Sequence, residues 1–283
     1  MIRKLMVPVR GDGKGDGVFA HAAVLAKAFG AHVQVVHCQP KAEDMMPFGV
    51  VIPDIVRRQI EQAANENAGM NEAHIRSEFK ALADRLGLPV DAPAPGKATA
   101  SLEDYAGKQV DAVKHYGRLA DLVCVPRPDR AMNLGANTLK AAIYGSGRPV
   151  LMCPPGEDAP ATIGKHVTIG WNGSLEATRA LAQGMAIVAA AESVTILTTG
   201  AEGHAASAED LVAYLALHGV TAQIHRFEKS GLVGDSLLAH SADLGADLLL
   251  MGAYHDSYER ETIFGGNTQS VVSNAEIPVM LVH

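Results

Sequence analysis

At 283 residues the chain is long for one compact core and suggests two domains. Hydrophobic residues make up 48% and charged residues 19%, which argues against wholesale disorder, and the longest apolar runs, such as Leu248-Leu249-Leu250-Met251, are strand-length and far short of a membrane span. The net charge of -7 is unevenly placed: 19 Lys and Arg face 18 Asp and Glu through residue 160, and 5 face 13 beyond it. The C-terminal half therefore lacks the clustered cations that nucleic-acid binding needs, and a phosphate held there would rest mainly on backbone N–H groups and a helix N-terminus.

The chain opens with basic residues ahead of apolar ones, but Pro8 and Arg10 cut the run short of a signal-peptide core, so a cytoplasmic protein is expected. The run Gly11-Asp12-Gly13-Lys14-Gly15-Asp16-Gly17 follows a strand and precedes a helix, yet it fits neither GxGxxG, nor a Walker loop, nor an EF-hand, and reads as a flexible turn. A second strand spans His32 to His37. An apolar stretch, Met45-Met46-Pro47-Phe48-Gly49-Val50-Val51-Ile52-Pro53, then leads to a long helix with Ile75, Phe79, Leu82 and Leu86 on one face. That stretch can pack on the helix, or serve as a flap or association surface.

Two segments of the chain resemble each other. Leu119-Ala120-Asp121-Leu122-Val123-Cys124-Val125 matches Gly245-Ala246-Asp247-Leu248-Leu249-Leu250-Met251, and Gly135-Ala136-Asn137-Thr138 matches Gly265-Gly266-Asn267-Thr268. Each half closes with a proline-led strand, Pro149 to Met152 and Pro278 to Val282. The bridge Cys153-Pro154-Pro155-Gly156-Glu157-Asp158-Ala159-Pro160 suits a linker, giving expected domains 1–155 and 161–283.

Within the second unit, His166 to Trp171 is a strand and Ser174 caps a helix carrying Leu181, Met185 and Val188. Val194 to Thr198 is a second strand. Leu211 and Leu215 mark the next helix, with Gly219 just past its end. Thr221 to Phe227 is a third strand, and Leu237, Leu238 and Leu244 mark the helix after it. Asp247 to Gly252 is a fourth strand, apolar nearly throughout, as a parallel strand covered on both faces should be. Thr268 opens a short helix and Pro278 a fifth strand. The order βαβαβαβαβ demands a doubly wound sheet. In such a sheet, ligands bind beyond the strand ends at the switch point, here after Trp171 and Met251.

The residues after Met251 carry a resemblance. Gly252, His255 and Gly265 keep the x2 and x9 spacings of the G-x2-G-x9-G-[S/T] loop of universal stress proteins, although His255 replaces the second glycine and Gly266 takes the Ser/Thr position. The turn Gly170-Trp171-Asn172-Gly173-Ser174 is similar to the family's strand-to-helix turn, with Asn172 where an aspartate usually contacts adenine. The chain resembles a tandem universal stress protein over nearly its whole length. The resemblance implies an α/β fold of two tandem doubly wound Rossmann-like (adenine nucleotide α-hydrolase-like) domains, each a five-stranded parallel sheet. It implies an ATP or AMP site, with Mg2+, at Trp171, Asn172, Met251, Gly252, His255, Gly265, Gly266, Asn267 and Thr268. Asn172 can pair with adenine because an amide both donates and accepts. His255 either obstructs a β-phosphate or bonds to it.

The first unit departs further. Arg10 stands for the adenine-contacting aspartate, Pro126 falls where Gly252 lies, and the loop to Gly135 is four residues shorter. Its expected role is as a pairing partner, with Val150 to Met152 antiparallel to Val279 to Leu281 as in the family's dimers, and a further homodimer stays open. No HxxxH, HExxH or CxxC exists, so no structural zinc site is expected, although His204 and His255 lie in loops on the ligand side. No GxSxG elbow or base–nucleophile pair is found. Three functions remain: a non-catalytic regulatory module binding an adenine nucleotide, a member acting through protein association alone, and a slow ATPase or small-molecule carrier.

Overall fold

The computed structural model describes residues 1–11, 13, 15–39, 41, 53–132, 134–200, 206–253 and 266–283. The first half runs β1 (Lys4–Val9), α1 (Asp16–Phe29), β2 (His32–Gln39), α2 (Asp54–Arg85), β3 (Thr99–Ala106), α3 (Gln109–Gly117), β4 (Leu122–Pro126), α4 (Ala136–Gly145) and β5 (Val150–Cys153). The second runs β6 (His166–Gly170), α5 (Leu175–Val188), β7 (Ser193–Thr198), α6 (Ala208–Leu217), β8 (Ala222–Arg226), α7 (Val233–Asp243), β9 (Leu248–Gly252), α8 (Gly266–Asn274) and β10 (Val279–Val282).

The ten strands among the described residues form one sheet in the order β3-β2-β1-β4-β5-β10-β9-β6-β7-β8. Each half is parallel within itself and doubly wound, with its first strand between its second and fourth. The halves meet through β5 and β10, which pair antiparallel in the register Val279 with Met152, Met280 with Leu151 and Leu281 with Val150. The expected internal pairing is therefore present. Strands at this seam are buried on both faces and read VLMC and VMLV. The edge strand β8 has no fully buried residue.

Two apolar layers cover the sheet, and each runs through both halves. One contains Leu5, Leu151, Met280 and Leu250; the other contains Met6, Met152, Leu281 and Leu249. Arg127 adds a polar tie across the seam, its guanidinium donating to the Ala275 carbonyl beyond the end of α8 (2.9 Å).

The repeated Ala-Asp pair has a structural cause. Asp247, at the foot of β9, accepts from the backbone N–H groups of Gly164, Lys165 and His166 and from the Thr162 hydroxyl, fixing the entry to β6. Asp121 does the same at the foot of β4, accepting from the N–H groups of Arg3 and Lys4. Ser174 caps α5 by accepting from Ala177 N–H (3.2 Å), and Gly219 follows α6 with a φ of 75°, both as the sequence predicts. The helix expected to open at Thr268 begins at Gly266. Gly17 does more than build a turn: a Cβ there would stand 1.9 Å from the Gly156 carbonyl, so only glycine lets α1 lie against the linker.

Cys38, Cys124 and Cys153 are buried free thiols. Burial pushes the Cys38 thiol up to about 12 and raises the other two well above the ordinary thiol range, which keeps them protonated and unreactive. Among the described residues no helix is long and apolar enough to cross a membrane, and no group of three or more His, Cys, Asp or Glu gathers as a metal site.

Candidate functional site

A cavity of about 320 Å3 lies at the switch point of the second half, where β6 and β9 part. Trp171 and Asn172 come from the end of β6, Met251 and Gly252 from the end of β9, and Gly266, Asn267 and Thr268 from the start of α8. Seven of the nine residues expected at the site thus share one cavity; His255 and Gly265 lie outside the described residues, as does His204. Sequence reasoning missed further walls: Leu197 and Thr198 on β7 with Thr199 just after it, Phe227 after β8, and Val233 and Leu237 on α7. Those walls face the site only through sheet order, which no local motif reports.

The geometry refines what each residue does. Trp171 is buried, its indole N–H donating to the Ala206 carbonyl (3.0 Å), so it holds the cavity floor to the chain entering α6. Asn172 is exposed, and its Oδ1 accepts from Ser174 N–H (3.1 Å). The turn thereby fixes the side chain by one lone pair of its oxygen, leaving the second lone pair and the Nδ2 donors for a ligand.

Gly252 is glycine for packing. A Cβ there would meet Ala177 N and the Glu176 carbonyl carbon, each at 2.6 Å, so the bare Cα lets β9 approach the first turn of α5. Gly266 differs, for its Cβ would meet only Leu232 at an ordinary 3.4 Å.

Asn267 ties two helices. Its Oδ1 accepts from Val233 N–H (2.9 Å) at the start of α7, and its own carbonyl sits 2.2 Å from where a Cβ on Gly234 would stand. Asp235 bonds Ser270 Oγ and Asn274 Nδ2, completing the α7–α8 contact. Glu176 is the sole charged side chain among the described lining residues, and α8 begins on the cavity wall at Gly266. The arrangement offers an apolar slot of Leu197, Phe227, Leu237 and Met251 beside backbone and amide donors. That suits a flat heterocycle in the slot, with any anionic group directed to the start of α8 and away from Glu176.

The equivalent place in the first half is closed. Gln109, the first residue of α3, accepts at Oε1 from Arg10 Nε (2.9 Å) and Thr138 Oγ1 (3.0 Å), and donates from Nε2 to the Pro8 carbonyl (3.0 Å). Only about 50 Å3 remains, beside Pro126 and Gly135.

Comparisons with known proteins agree with this architecture. The Universal stress protein family model matches residues 189–283, so the second half carries a domain of that family. No curated protein matches the chain. Among solved structures, a universal stress protein from Archaeoglobus fulgidus DSM 4304 is similar at a TM-score of 0.70 and 15% identity, covering 99% of this chain and 95% of that one. A functionally unknown protein from Pseudomonas aeruginosa PAO1 is similar at 0.55 and 14%, covering 99% and 92%. At such identity these likenesses speak to the fold, over both halves.

Proposed function

We propose that this chain, with a universal stress protein domain in its second half, is a non-catalytic stress-response or regulatory module that binds one adenine nucleotide, ATP or AMP. The observation that carries the reading is the convergence of Asn172, Gly252 and the α8 start at Gly266–Thr268 on one 320 Å3 cavity with an apolar slot. That volume lies at the lower end of small-molecule pockets and suits an adenosine moiety, with the phosphate at α8. A Mg2+ ion would sit chiefly on the nucleotide's own phosphates, since Glu176 is the only carboxylate among the described walls. The plugged first-half site leaves that half the role of a pairing partner through β5 and β10, with domains 1–155 and 161–283.

The test is calorimetric titration of AMP and of ATP, with and without Mg2+, into wild type and Gly266→Val. The variant is chosen because position 266 tolerates a Cβ, whereas a valine at 252 would force β9 off α5 and mimic a lost ligand by misfolding. One nucleotide per chain, lost in the variant, supports the reading. No heat and no thermal stabilisation at millimolar nucleotide rejects it and leaves association with a protein partner.

A further inference from the structure

A cavity larger than that of the second half belongs to the first half and adjoins its plugged switch point, with which it shares Val9 and Gly15. It measures about 460 Å3 and opens between the sheet and α2. Val9, Val35 and Leu102 give it a floor from three adjacent strands, and Phe19 of α1 with Ile75 and Phe79 of α2 give it walls. Phe19 and Phe79 stack at 5.5 Å between ring centroids. Backbone at Gly11, Gly13 and Gly15 closes one side; Gly11 has a φ of 75°, and its bare Cα allows Ile75 to approach.

The corresponding helix of the second half, α6, is 10 residues long where α2 is 32. Among the described residues these apolar side chains face a cavity, and pockets of this volume take small molecules. The rim carries the carboxylates of Asp16 and Glu78, the latter against His74 at 3.1 Å. An anionic ligand would meet an unfavourable field there, whereas a neutral apolar one gains burial without that cost.

We infer that the first half binds a neutral apolar small molecule, aromatic or aliphatic, in the cavity between β1, β2, β3 and α2. This site shares no residue with the nucleotide cavity and stands or falls independently of it.

The probe is N-phenyl-1-naphthylamine, neutral and built of a naphthalene and a phenyl ring, titrated into the full chain by fluorescence. The expected result is saturable enhancement at one probe per chain, undisturbed by excess AMP. In methyl-labelled protein, nuclear Overhauser contacts from the probe should reach Ile75 and Leu102, and none should reach Leu237. Leu102→Trp, which fills the cavity, should weaken binding about tenfold or more. Should that variant fold poorly, the contacts in wild type decide alone. Unsaturable binding, displacement by AMP, or contacts at Leu237 instead of Ile75 would overturn the inference.

Discussion

Leu151 of β5 and Met280 of β10 are register partners in the antiparallel pairing that joins the two halves, and both side chains lie in the same apolar layer. The seam thus sits inside a continuous core. An aspartate at 151 would bury an unpaired carboxylate there, costing about 4 kcal/mol or more. The sole tryptophan, Trp171, lies in the other half and reports on it separately. Leu151→Asp should lower the urea midpoint of Trp171 fluorescence and of circular dichroism together. An unmoved Trp171 transition beside an early dichroism phase would mean that the halves fold independently.

Gly234 and Gly266 border the same α7–α8 contact but answer differently to a methyl group. At Gly234 the methyl meets the Asn267 carbonyl, which is backbone and cannot swing away; at Gly266 it meets a flexible leucine. Gly234→Ala should cost about 2–4 kcal/mol. It should also weaken nucleotide binding, because α8 must move outward. Gly266→Ala should stay near wild-type stability, within about 0.5 kcal/mol. Equal thermal melts for the two variants would refute the close-approach account.

The order of elements was readable because each signal is local: period, cap, turn. Ser174, Gly219 and the paired closing strands all sit where the pattern predicts. The repeated Ala-Asp pair was visible as a repeat, but its reason, an aspartate gathering N–H groups from 81 or more residues upstream, belongs to tertiary structure. Gly252 shows the same gap. Its place in a glycine pattern was plain, while its duty toward Glu176 and Ala177 depends on how α5 leans on β9. Neither Gln109 nor Phe227 carries a motif, and α2 displays its length in sequence but not the space beneath it.

The plug in the first half predicts the stoichiometry of binding. Gln109 joins Arg10, Thr138 and Pro8, filling the place that Val233 leaves open in the second half. Wild type should bind one nucleotide per chain at saturation. Gln109→Ala should lose about 1–2 kcal/mol of stability, as Thr138 Oγ1 and the Pro8 carbonyl lose their partner. A second nucleotide bound by wild type would contradict the plug.

Two buried histidines should make stability fall in acid. His21 on α1 is buried, its Nδ1 donating to the Gly17 carbonyl at 2.7 Å while Nε2 has no partner. His32 bonds Thr99 and Ser101 through its two ring nitrogens, and Lys4 stands near it. Burial lowers both from the ordinary 6.5, with Lys4 adding to the effect at His32. In the unfolded chain both imidazoles take up protons as pH falls through 6.5, whereas in the folded chain they resist. The unfolded state then binds more protons, so stability is full above that pH and declines below it. His21→Leu removes one titration and the orphaned Nε2 together. Urea midpoints measured between pH 8 and pH 5 should fall less steeply for the variant than for wild type, with the two closest at pH 5 if the lost Gly17 bond dominates at neutral pH. An unchanged slope would mean that His21 is neutral at pH 5 in the unfolded chain as well, which its chemistry forbids, or that it is solvated in the folded one.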